Sequence, residues 1–170
     1  PSVKFFSYRQ VSWEKYRLED SELVELNRLI NETKIPFKEP SLQLAFENFE
    51  FSYEIDNENL SFVTLMISLE TLLNKSEQEL RYTISRNAAV LLGKNRDDSK
   101  RIFSEISRLY EIRSRIAHSG KSTKFTKEDL MKLRNYVRDS IKEIYKTGKN
   151  KDEILDLLNS HGFGERIEAI

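Results

Sequence analysis

The chain has no cysteine, two histidines, three prolines and five glycines among 170 residues, and its 28 basic residues balance 28 acids. Without cysteine there is no disulfide, thiolate zinc site, iron–sulfur cluster or thiol nucleophile. Two histidines with no cysteine give no reason to expect a dedicated transition-metal site, and the absence of a glycine-rich phosphate loop or a Ser-His-Asp pattern leaves no cofactor expected. Scarce glycine and proline leave few places to turn a sheet, so the composition describes a helical protein. A net charge of zero speaks against the large uniformly basic surface of many nucleic-acid binders. No apolar run approaches the roughly 20 residues of a bilayer span, and the N-terminus lacks the basic-then-apolar layout of a secretory leader. The expected location is cytoplasmic, with no membrane contact. Methionine occurs only at Met66 and Met131 and the first residue is Pro1, which predicts a piece of a longer protein.

What is present is helical periodicity. Residues 1–19 carry Phe5, Phe6, Tyr8, Val11, Trp13 and Tyr16 without a regular period and read as an extended arm, with one strand as the alternative. Asp20 or Ser21 caps a helix that ends before Pro36, and Ile35 to Pro40 form a connector. Ser41 opens a second helix through Leu42, Ala45, Phe46, Phe49 and Tyr53. Residues 58–74 are apolar on nearly every side, as a central buried helix must be. A fourth helix covers 77–92 and stops at Gly93, a fifth starts at Asp97 or Asp98 and runs to about Ala117, and a sixth is capped by Thr126 and ends at Gly148. A short amphipathic helix around Ile154 to Leu158 comes last. The expected architecture is all-α: an N-terminal arm and helix over 1–40, a helical bundle over 41–146, and a C-terminal helical extension over 147–170.

The charge is unevenly spread. Seven acids (Glu39, Glu47, Glu50, Glu54, Asp56, Glu58 and Glu70) and no lysine or arginine lie between Glu39 and Asn74, whereas nine basic residues face three acids between Arg108 and Arg138. Within the basic stretch, Ile102, Ile106, Leu109, Arg113 and Ile116 fall on one helical line, so Arg113 stands where its neighbours are aliphatic. Arg115 lies on a polar line, one turn after Glu111. A guanidinium on the apolar line needs a partner or a purpose, and Glu70, on the most apolar helix, is the acid placed to pair with it. His118 lies five residues after Arg113, about 140° around an ideal helix, and Ser119-Gly120 comes directly after it.

Three segments in order, Ile67-Ser68-Leu69-Glu70-Thr71-Leu72-Leu73, then Glu79-Leu80-Arg81-Tyr82 leading to Ser85-Arg86-Asn87-Ala88-Ala89-Val90-Leu91-Leu92-Gly93, then Leu109 to His118, resemble Apea-like HEPN domains over roughly residues 41–145. That family carries an Arg-x(4–6)-His signature on a late bundle helix, and Arg113 and His118 match its x4 form. The resemblance implies a HEPN-like bundle and a metal-independent endoribonuclease acting as a homodimer, with two motifs facing one cleft. Many members belong to toxin–antitoxin or anti-phage systems, where an antitoxin or other defence protein is the partner. Others are non-catalytic modules for dimerisation or for binding RNA or protein. Ser114 stands where active members often carry asparagine, aspartate or histidine.

Chemically, RNA cleavage by 2′-OH attack needs a base, an acid and a cation at the phosphorane-like transition state. Histidine titrates near neutral pH and serves as base or acid, while arginine stays charged and offers a planar fork to phosphate oxygens. One histidine does not readily do both proton transfers at once, which gives a second copy a chemical role. Ser114, four residues before His118, is placed to hold its ring. Tyr110 is a candidate cleft residue, Lys121, Lys124 and Lys127 are candidates for the RNA backbone, and Arg86 and Asn87 are candidate contacts of the motif helix. The competing account from the residues alone is structural: Arg113 pairs with Glu70, and His118 ends a helix whose dipole favours a cation.

Overall fold

The computed structural model describes residues 19–75, 78–119 and 125–165. Among them are seven helices and no strand, an all-α helical bundle with a short C-terminal helix. The chain divides into two compact units, Pro1–Ile35 and Pro36–Ile170. The first contains helix α1, Asp20–Glu32, with Asp20 and Glu22 in its first turn. Residues 1–18 of the expected arm lie outside the described residues.

The second unit begins with α2, Pro40–Glu54, and α3, Glu58–Leu73. Pro40 does not end the connector but is the first helical residue, with Glu39 as N-cap accepting from the Leu42 N–H at 2.6 Å. A missing N–H costs nothing at that position, because the first N–H groups have no carbonyl to meet. Serines let α2 and α3 approach closely: Ser61 Oγ donates to the Ser52 carbonyl and Ser68 Oγ to that of Ala45, each at 2.7 Å.

Helix α3 is the centre, as its composition requires. Phe62, Leu65, Met66, Leu69, Leu72 and Leu73 are fully or almost fully buried, and α2, α4 (Leu80–Leu92), α5 (Arg96–Ser119) and α6 (Lys127–Thr147) all pack on it. Helix α7, Lys151–Ser160, adds Ile154, Leu155 and Leu158 to the same core. Gly93 ends α4 with φ −71°, not in the left-handed region its place after the helix suggested. It is there for space: a Cβ at Gly93 would sit 2.5 Å from the Ala89 carbonyl oxygen and 2.9 Å from Ser99 Cα, so only glycine lets α5 start this close to the end of α4.

Thr126 caps α6 as expected, in a reciprocal box with Asp129, whose carboxylate accepts the Thr126 N–H at 3.0 Å. The Arg108 guanidinium from α5 donates to the same carboxylate. That bond outweighs burial and holds the Asp129 carboxyl down at about 2. A depressed acid contributes stability that is full above its ordinary value of 3.8 and lost as pH falls through about 2. Asp129→Asn is expected to cost about 1–2 kcal/mol at neutral pH and to remove that acid-side loss, measured by urea denaturation across a pH series.

Candidate functional site

The last three turns of α5 carry Tyr110, Arg113, Ser114 and His118, with the helix continuing through Ser119. Arg113 meets Glu70 of α3: Nη2 stands 3.2 Å from Oε1 and 3.4 Å from Oε2, donating its hydrogen bond to the latter. The guanidinium carbon also lies 5.6 Å from the centre of the Tyr110 ring. The side chains of Arg113 and Glu70 remain 25% and 19% exposed, so the pair is shielded but not sealed. Burial raises the Glu70 carboxyl above its usual value, and the Arg113 charge opposes the shift without cancelling it.

This pair is charge-matched but poorly hydrogen-bonded. Glu70 Oε1 and Arg113 Nε are both buried without a hydrogen-bond partner. The reason lies in the approach: a single Nη2 reaches both carboxylate oxygens, whereas the strong Arg–carboxylate arrangement uses two parallel N–H donors. Glu70 therefore holds Arg113 through Nη2 alone and leaves Nη1 outside the pair.

His118 is exposed in the final turn, and Ser114 is half-buried. Among the described residues no hydrogen bond joins His118 to Arg113 or Ser114. The helix stays regular through this segment, so the five-residue step keeps the two motif side chains on different faces. Of the lysines read as RNA contacts, Lys127 is exposed at the start of α6, while Lys121 and Lys124 lie outside the described residues.

Arg86 and Asn87 serve other helices. Arg86 Nη1 donates to the Leu158 carbonyl and Nη2 to that of His161, both at 2.9 Å, clamping the end of α7 where carbonyls lack intrahelical donors. Asn87 is buried and donates to the Leu73 carbonyl at the end of α3. Their hydrogen bonds to other elements go to helix C-termini and not to the motif helix. Two adjacent polar side chains on the buried half of α4 were the visible signal, but sequence gives no address for a carbonyl more than 70 residues away.

Two features went unread in the sequence. One is a cavity of about 590 Å³, open to solvent along the surface and lined by Glu79, Leu80, Arg81, Tyr82 and Tyr110, beside the Arg113 guanidinium through their shared Tyr110. The other is an apolar face. The Ser61–Ser52 and Ser68–Ala45 bonds fix the α2–α3 register and put Leu44 and Phe51 of α2 on the same side of the helix pair as Leu60 and Ile67 of α3, all four exposed, with Glu47 and Asn48 between the two α2 residues. Ile67 is one helical turn before Glu70, so this face runs up to the Arg113–Glu70 pair.

No helix among the described residues is long and apolar enough to cross a membrane, and no group of three histidine, aspartate or glutamate side chains among them is placed to hold a metal ion. Comparison of the chain with family models, curated proteins and solved structures found no match.

Proposed function

We propose that this chain is a HEPN-type endoribonuclease that cleaves RNA without a metal ion, as a cytoplasmic homodimer, in a toxin or anti-phage setting with an antitoxin or other defence protein as partner. The observation that carries the reading is the state of Arg113. It is fixed from one side by Glu70, through Nη2 alone, and by Tyr110, and its side chain stays 25% exposed. An arginine held this way is preorganised for a phosphate and does not have to break a bidentate bond to take one.

In the reaction, a neutral His118 removes the proton from the ribose 2′-OH, and the 2′-oxygen attacks phosphorus. Arg113 neutralises the charge that grows on the non-bridging oxygens. The departing 5′-oxygen takes a proton from a second, protonated His118, supplied by the other copy. The products are a 2′,3′-cyclic phosphate and a 5′-hydroxyl. The exposed Leu44, Phe51, Leu60 and Ile67 offer that copy an apolar surface beginning beside the site.

A second reading, a non-catalytic HEPN-like module for dimerisation or for binding RNA or protein, is favoured by the Arg113–Glu70 pair itself, since an intrachain partner is enough to account for a charge on an apolar helical line. The two separate on one measurement. Incubated with single-stranded RNA or tRNA in excess chelator, the wild-type chain is expected to yield fragments ending in cyclic phosphate. RNA left intact by a folded dimer would establish the module instead.

A further inference from the structure

Resting on the RNA reading above, we propose that the cavity between the first turn of α4 and the middle of α5 is a nucleobase subsite, in which an unpaired base of the RNA stacks on Tyr82 while its phosphate engages Arg113.

The cavity, of about 590 Å³, is bounded by two tyrosines, one leucine, one carboxylate and one guanidinium, a lining suited to a flat heteroaromatic ring with polar edges. Tyr82 is 55% exposed, in the first turn of a helix that buries most of its later residues. It is nevertheless held: its ring makes an edge-to-face contact with Phe103 at 5.8 Å, and Phe103 rests in turn on Phe163 at 5.9 Å. An exposed ring whose plane is fixed from behind is a stacking platform, because little of its freedom remains to be lost when a base arrives.

Polar groups at the rim are also positioned. Arg81 is tied to Glu111 of α5 at 2.6 Å, which restrains a guanidinium at the cavity edge, and Glu79 adds a carboxylate to the same rim. Glu79 adopts left-handed backbone at φ 50°, a conformation that costs a non-glycine residue energy and that collects at binding sites. Tyr110 joins the two halves of the proposal. It forms the cavity wall and carries the Arg113 guanidinium 5.6 Å from its ring centre, so the base and phosphate positions are separated by a single side chain, within the reach of one nucleotide.

The test uses fluorescence anisotropy with a short single-stranded 2′-O-methyl oligonucleotide, which cannot be cleaved by 2′-OH attack, and a set of the same oligonucleotides each lacking one base. Tyr82→Ala is expected to weaken binding about tenfold, and Tyr82→Trp to hold it within about twofold, as one stacked base requires. One abasic position is expected to weaken wild-type binding by a similar factor and to cost Tyr82→Ala nothing more. Circular dichroism confirms that both variants are folded. Tyr82→Ala binding like wild type, or abasic losses of equal size at every position, overturns the subsite. Binding that survives Tyr82→Ala but falls with Arg113→Ala overturns the subsite and leaves the RNA reading standing, whereas wild-type protein that binds no oligonucleotide overturns both.

Discussion

Arg113→Ala and His118→Ala are each expected to reduce metal-independent RNA cleavage by about a hundredfold or more, the usual size for removing a transition-state cation or a proton-transfer group. Their effects on stability should differ. His118 is exposed, so its loss is expected to leave the melting temperature within about one degree of wild type. Arg113 is the counter-charge of a shielded carboxyl that burial already disfavours, so Arg113→Ala removes the opposing influence and drives the Glu70 carboxyl further up. A loss of about 1–2 kcal/mol is expected for a pair this partly exposed, measured by urea denaturation.

A double substitution separates chemistry from architecture. Arg113→Met with Glu70→Leu replaces both charges by apolar groups of similar volume and is expected to recover most of the stability lost by Arg113→Met alone. It should recover none of the cleavage. If Arg113 were only Glu70's partner, the single and double variants would cleave RNA as well as wild type, and the proposed role would be wrong. Glu70→Gln completes the set. A raised carboxyl pKa means that ionising Glu70 costs the folded state, so stability declines as pH rises from 4.5 through the raised value. That decline is expected to vanish in Glu70→Gln, with cleavage kept within a few-fold because Arg113 stays on Tyr110.

Where local chemistry decides structure, the sequence was readable. Thr126 followed by Glu128 and Asp129 signalled the start of α6, and the capping box is there. The aliphatic line through Ile102, Ile106 and Leu109 singled out Arg113, and the most apolar helix supplied Glu70 as its partner, a pairing the structure contains. Three things were hidden for physical reasons. Arg86 acts on carbonyls at the end of α7, which no side-chain pattern encodes. The start of α4 moves from 77 to Leu80 because Glu79 takes left-handed backbone, which a right-handed helix does not contain and which a glutamate does not signal in sequence. Tyr82 reads as an ordinary helix aromatic until Phe103 and Phe163 are seen behind it.

The hardest feature to foresee was the direction in which α3 faces, and it carries the second large effect. Helix α3 is apolar around nearly its whole circumference, so periodicity assigns it no solvent side, yet Leu69 is fully buried while Ile67, two residues earlier, is 38% exposed. Leu69→Ala is expected to cost about 3 kcal/mol and lower the melting temperature by roughly 10 °C, since a large-to-small change in a close-packed core loses both transfer energy and contacts. Leu60→Ser with Ile67→Ser is expected to change monomer stability by less than about 1 kcal/mol but to weaken self-association at least about tenfold, read by sedimentation over a dilution series. Both outcomes come from one composition put to two uses. The core side of α3 needs its leucines to fold, and the outward side leaves Leu60 and Ile67 exposed, where the proposed second copy would dock. If the double serine variant associates as wild type does, the second copy docks elsewhere, and the face ending at Glu70 and Arg113 is not what brings two His118 side chains together.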